Sequence, residues 1–210
     1  MPRVLVITSC TARKGPVPAR ADALYEGEHH RRLMRGVEAL RQDHRWEVDL
    51  RVVSAKHGLL SADRRVCPYD ETFAGLGRRV VRARGNALGI PGDMRATLGV
   101  PADLAVIALG DDYLTAAGLE DGRIDAAAPT LLLCAPGVGR RMVVSPNVQR
   151  VDVGVPETRR FSCGFIGLKG EVAGRLLTAL AHEPVPVVPT WVTASDVLDH
   201  VSAFAPQLAL

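Results

Sequence analysis

The sequence predicts an α/β fold, a single three-layer sandwich around a mostly parallel central sheet. Four short apolar runs read as strands buried on both faces: Val4–Thr8, Val48–Val53, Leu104–Leu109 and Thr130–Cys134. Helical stretches alternate with them, as in a parallel sheet built from crossovers. At 210 residues, with 47% hydrophobic and 23% charged, the chain matches an ordinary globular domain and excludes wholesale disorder. Residues 1–183 are expected to form the α/β domain. Residues 184–210 are read as a proline-rich connector and a C-terminal helix packing on it.

Each element has its own signal. Val4–Thr8 stops at Ser9-Cys10, and a long loop rich in Pro, Gly, Ala and Arg follows. Glu28–His44 reads as a helix with Leu33, Val37 and Leu40 roughly on one face. Val48–Val53 ends at Ser54, and the segment to Thr72 reads as irregular. Arg78–Leu88 is helical and is broken by Gly89-Ile90-Pro91-Gly92. Leu104–Leu109 ends at Gly110-Asp111-Asp112-Tyr113, and Thr130–Cys134 ends at Ala135-Pro136-Gly137. Glu171–Ala181 places Val172, Leu176 and Leu180 at a spacing of four, a helical face. Pro184–Pro189 is the connector, and Trp191–Leu210 holds the terminal helix, capped by Thr193 or Ser195.

Ligands of such folds bind outside the carboxyl ends of the strands. Three of the four strand ends here are polar, so a small-ligand site is expected there. Ser54-Ala55-Lys56-His57-Gly58 sets a hydroxyl, an ammonium and an imidazole directly after a strand. Lys56 can neutralise an anion and His57 can move a proton near neutral pH. The plainer reading is a solvated loop. Tyr69-Asp70-Glu71 supplies a carboxylate able to stabilise an oxocarbenium-like sugar, or forms a turn after Pro68. Gly164, Gly167, Gly170 and Gly174 surround Lys169 before a helix and can offer amides to phosphate, although no Walker or dinucleotide fingerprint is present. Cys10 is a candidate nucleophile beside Arg13 and Lys14, or a small packing residue.

The cysteines at 10, 67, 134 and 163 form no Cys-x-x-Cys pair, so no metal site and no disulfide framework is expected. Free thiols point to a cytoplasmic protein. No run of about 18 apolar residues occurs, so no membrane span is expected, and the apolar start is too short for a signal peptide. Net charge is +3, too mild for a surface coated by nucleic acid. The basic residues comprise 23 arginines and only three lysines, Lys14, Lys56 and Lys169, each within two residues of a glycine. These lysines are expected to lie near one cleft.

Ser9-Cys10 with Arg13-Lys14, Pro18-Ala19-Arg20 and Leu24-Tyr25 resembles the opening of a family of small uncharacterised bacterial domains. Ser54-Ala55-Lys56-His57-Gly58-Leu59-Leu60, Pro68-Tyr69-Asp70 and the segment from Gly167 to Leu176 are similar to further motifs of that family. The resemblance covers about residues 4 to 180. More distantly, the family is similar to YaaA-type peroxide-stress proteins and to an accessory domain of archaeal tRNA-guanine transglycosylases. These resemblances imply an α/β domain concerned with nucleobases, nucleotides or nucleic acid. The stretch from Thr130 to Arg160 and the tail after Pro184 depart from the family pattern.

The expected function is that of an enzyme hydrolysing or exchanging the N-glycosidic bond of a nucleotide or nucleoside, with no cofactor. Asp70 or Glu71 would stabilise the sugar cation, with Lys56 and His57 holding phosphate or protonating the base. Lys169, with Gly167 and Gly170, would bind phosphate, and Tyr69 or Tyr113 would stack on the base. Ser9, Cys10, Arg13, Lys14, Ser54 and Asp111 complete the expected binding residues. Two other readings stand beside it: a non-catalytic nucleic-acid-binding or stress-response module, and a thiol-based redox protein using Cys10.

Overall fold

The apolar runs become the middle of one sheet. A computed structural model describes residues 1–120, 123–183, 192, 197–202 and 204. Among them the order is β1 (Arg3–Ser9), β2 (Ala19–Arg20), α1 (Ala21–Leu24), α2 (Glu28–Gln42), β3 (Glu47–Ser54), β4 (Gly58–Ser61), β5 (Arg65–Val66) and α3 (Arg78–Ala87). There follow α4 (Ile90–Leu98), β6 (Leu104–Ala108), α5 (Asp111–Ala116), β7 (Arg123–Ile124), β8 (Thr130–Cys134) and α6 (Pro136–Gly139). The remainder is β9 (Val143–Val144), β10 (Val148–Asp152), α7 (Val155–Arg160), α8 (Phe165–His182) and α9 (Val197–Ser202).

The main sheet has the order β10-β8-β6-β1-β3-β4. All neighbours run parallel except β4, which folds back antiparallel on β3. Alternation along β1 divides the core: Val4 and Val6 face one layer, Leu5 and Ile7 the other. The first layer is α2, α8 and α9, through Leu33, Val37, Leu40, Leu176, Leu177 and Val201. The second is α3, α4 and α5, through Val81, Ile90, Met94 and Leu114. The fold is therefore the expected α/β arrangement, with helices on both faces of a mostly parallel sheet.

Strand order places the site. From β1 the chain moves outward to β3, and later returns to lay β6 on the opposite side of β1. Loops leaving the carboxyl ends of β1 and β6 thus run in opposite directions and open a crevice between them.

Several elements differ from the sequence expectation. The segment after Ser54 contains β4, because Gly58 at φ +76° closes a tight hairpin. The breaker at Gly89 ends α3 and also starts α4, with Pro91 in the first turn, where a missing N–H costs nothing. The largest correction concerns the glycine-rich stretch. α8 begins at Phe165, six residues before the expected start, so Gly167 and Gly170 lie inside a helix and not in a phosphate-facing loop. A Cβ on Gly170 would stand 2.1 Å from the His29 carbonyl oxygen, and one on Gly36 2.1 Å from that of Gly174. These glycines let the backbones of α2 and α8 touch. Glu171, buried in the same contact, is held by Arg32, Arg35 and Arg175. The connector Pro184–Pro189 lies outside the described residues. Of the terminal helix, Val197–Ser202 is described, and its Val197 and Val201 are buried in the core that α8 shares.

Gly170→Ala is expected to lower stability by about 1–3 kcal/mol, since α2 and α8 must separate to admit a methyl group. Gly92, in α4, has open space around its Cβ position, and Gly92→Ala should raise stability by about 0.5–1 kcal/mol. Thermal or denaturant melts of the two variants check this. Equal effects would remove the close-contact account.

Candidate functional site

The crevice between β1 and β6 holds a cleft of about 380 Å³. Its polar lining is Ser9 at the end of β1, Cys10 and Thr11 just after it, Asp111, Asp112 and Tyr113 in α5, and His29, Thr72 and Lys169. Phe165 and Ile166, in the first turn of α8, form an apolar rim and are 59% and 85% exposed.

Each polar side chain is fixed from behind. The Cys10 amide donates to Val53 O at 2.9 Å, continuing the pairing of β1 with β3 beyond the strand end. Thr11 ties the following loop to α2, its hydroxyl accepting from the Gly27 amide at 3.0 Å and donating to Arg13 O at 2.9 Å. That loop closes on itself, with Gly15 N donating to Leu24 O and Glu26 N to Arg13 O. His29, in the first turn of α2, bonds through Nε2 to the Thr8 hydroxyl at 3.0 Å. Burial holds its imidazole pKa down to about 4, with His30 and Lys169 pushing the same way. It is a neutral wedge against the sheet.

Lys169 reaches from α8 to the β6 end, where its ammonium donates to Leu109 O at 2.8 Å and to Asp111 Oδ1 at 3.1 Å. Among the described residues Asp112 has no such partner, and burial together with the neighbouring Asp111 raises its carboxyl pKa. Two adjacent carboxylates thus share one cleft in different environments.

Behind the cleft runs a buried hydroxyl network. Ser54 Oγ accepts from the amides of Lys56 and His57 at 3.2 and 3.0 Å, so its proton points to Tyr69 Oη at 2.7 Å. Tyr69 Oη also meets Tyr25 Oη at 2.9 Å and reaches the Cys10 thiol. Cys10 Sγ lies 3.0 Å from Tyr113 Oη. Burial and the neighbouring thiol push the Tyr69 and Tyr113 phenols well above their ordinary range, and burial raises Tyr25 to about 12. These phenols are uncharged donors and acceptors at neutral pH.

The structure brings together Ser9, Cys10, Asp111, Tyr113 and Lys169 in the cleft lining. The other expected residues stand elsewhere. Ser54 and Tyr69 are buried behind the wall, so Tyr69 cannot stack on a base. Lys56 and Glu71 pair with each other at 3.1 Å on the surface, and His57 sits edge-on to Tyr69. Lys14 covers the Tyr69 ring at 4.2 Å, and exposed Arg13 pairs with Glu26. Asp70 is exposed outside the lining. Two local structures account for this: the β3–β4 hairpin turns the Ser54–His57 corner out of the cleft lining, and the closed loop after β1 holds Arg13 against Glu26 and Lys14 against Tyr69. Gly167 and Gly170 serve helix packing. Of the three lysines, Lys169 lines the cleft.

Five contributors were not singled out in the sequence: Thr11, His29, Thr72, Asp112 and the Phe165–Ile166 rim. His29 carries a usable signal, since the helix following the first strand of such folds begins at the crevice. Exposed apolar residues before Leu168 give the weaker signal for the rim. Among the described residues, no three His, Cys, Asp or Glu side chains gather as a metal-holding group. No described helix is long and apolar enough to cross a membrane.

A known family model matches residues 4–117, from β1 through the end of α5. The chain belongs to the DUF6884 family, a family of unknown function. The matched DUF6884 region supplies Ser9, Cys10, Thr11, His29, Thr72 and Asp111–Tyr113, while Lys169 and the apolar rim come from the chain beyond it. No curated protein and no solved structure matches the chain.

The buried histidine predicts an acid response. His29 titrates at about 4 when folded and near 6.5 when unfolded, so the unfolded chain takes up the proton first. Stability is complete above about pH 6.5 and falls by about 3 kcal/mol as pH drops toward 4. His30, also pushed down by burial, adds in the same direction. His29→Gln should flatten the slope of denaturant stability against pH, and NMR of the wild type should show the imidazole neutral at pH 5. An imidazole that titrates near 6.5 contradicts the buried-wedge geometry.

Proposed function

We propose that the cleft binds a nucleoside or nucleotide and cleaves or exchanges its N-glycosidic bond. The observation that carries this reading is the pair Asp111 and Asp112 in one cleft, one beside an ammonium and the other with a raised pKa. Pairs of carboxyls with diverging environments divide the acid and base roles. A volume of about 380 Å³ lies in the range of small-ligand sites. Phe165 and Ile166 offer the base an apolar face, the role first expected of a tyrosine. The sequence resemblance to YaaA-type proteins and to the transglycosylase accessory domain supports the same substrate class.

In this mechanism the C1′–N bond breaks and its electron pair leaves with the base. Asp112, whose proton affinity burial and Asp111 raise, delivers a proton to that base. Asp111, oriented by Lys169, faces the positive charge growing on the sugar. Water then adds to C1′ and returns its proton to Asp112, or a second base adds in its place. The roles expected for Asp70 and Glu71 pass to Asp111 and Asp112, because only the latter line the cleft.

A panel of nucleosides and their 5′-monophosphates, with released base read by chromatography, tests the assignment. Asp112→Asn should reduce turnover of the active substrate by about 10²-fold or more, and Asp111→Asn likewise. Asp70→Asn should leave it unchanged. Full activity in Asp112→Asn would remove the mechanism.

A further inference from the structure

Two of the three lysines remain unexplained by the cleft. Lys169 is committed to Leu109 O and Asp111, and Gly167 and Gly170 beside it pack against α2. Lys14 and Lys56 behave differently. Both ammonium groups lie over the ring of Tyr69, at 4.2 and 5.7 Å from its centroid, and so within about 10 Å of each other. Their backbones are fixed independently. Lys14 bridges Tyr25 in the closed loop after β1, and the Lys56 amide is anchored on Ser54 Oγ.

Charge around this pair is unbalanced. Lys56 has Glu71 as its counter-ion at 3.1 Å, whereas among the described residues the Lys14 ammonium meets the neutral Ala12 carbonyl at 3.3 Å and the Tyr69 ring, and no carboxylate. His57 stands in the same field, its pKa lowered by burial and then by Lys56 and Arg64, against the opposing pull of Glu71. Holding two cations over one uncharged ring invites an anion. The position relates them to the cleft. Ala12, which Lys14 touches, and Thr72, the residue after Glu71, both line it.

We propose that Lys14 and Lys56, held over Tyr69 at the lip of the cleft, form a phosphate subsite for the nucleotide whose base and sugar occupy the cleft. This rests on the nucleotide reading above and narrows it to phosphorylated substrates. Two compact point charges suit the three oxygens of a phosphate monoester, and lysine stands here in a chain that otherwise uses arginine. Glu71 holds Lys56 until phosphate replaces it.

Titration of the full chain with inorganic pyrophosphate, followed by calorimetry at constant ionic strength, tests the subsite without reference to catalysis. Wild type should bind in the millimolar range or tighter. Lys14→Gln and Lys56→Gln should each weaken binding by about tenfold, the loss of one charge-assisted contact. Glu71→Gln, which removes the competing carboxylate, should tighten it. Asp111→Asn with Asp112→Asn should change it little. Lys56 and Asp111 are exposed and Lys14, Glu71 and Asp112 half-exposed, and matching melts confirm folding. A second arm compares a nucleoside with its 5′-monophosphate: the lysine variants should weaken only the monophosphate. Unchanged pyrophosphate affinity in the Lys14→Gln/Lys56→Gln double variant, or no binding by wild type, overturns the subsite. Pyrophosphate binding that depends on the lysines while no nucleoside binds anywhere overturns the cleft reading and leaves the anion site standing.

Discussion

Contact between the backbones of α2 and α8 governs the geometry of the cleft. Gly36, Gly170 and Gly174 remove the side chains that would hold the two helices a residue's width apart. With the helices touching, His29 from the start of α2 and Lys169 from α8 arrive together at the end of the sheet. His29 then wedges against Thr8, and Lys169 crosses to Leu109 and Asp111. A methyl group at Gly170 would move that whole side of the cleft. Glu171 closes the contact from the solvent side through three arginines, a buried charge that is compensated where it lies.

The three lysines, alike in sequence, do different work. Lys169 is an internal strut that neutralises one carboxylate and leaves the other, Asp112, in a less compensated position. Lys14 and Lys56 lie over Tyr69, whose hydroxyl joins the buried network of Tyr25 and Ser54. The site thus divides into an interior of carboxylates and an exterior of ammonium groups, the polarity that a nucleotide presents in reverse order from sugar to phosphate.

Strands were the most legible part of the sequence. Thr130–Cys134 matches β8 residue for residue, because a strand buried on both faces must be apolar throughout. Elements carried by tertiary contacts were not legible. β10, at the sheet edge, alternates Val148 and Val151 with polar residues and lacks a continuous apolar run. α8 starts at Phe165 despite three early glycines, since burial against α2 outweighs their poor propensity. Strand ends pointed to Ser9, Cys10, Asp111 and Tyr113, which all line the cleft. Ser54–His57 also follows a strand, but it enters a hairpin to the sheet edge, and topology at that level has no local signature.

Both the proposed chemistry and the proposed nucleotide-phosphate subsite require a ligand to bind at the crevice between β1 and β6. The most direct measurement is an amide chemical-shift titration of the intact chain with a set of nucleosides. Binding in the cleft predicts shifts confined to the amides of Thr11, Gly110, Asp112 and Ile166, with the charged groove around Arg20, Arg51 and Ser61 unchanged. Shifts in that groove instead, or none with any nucleoside, would contradict it.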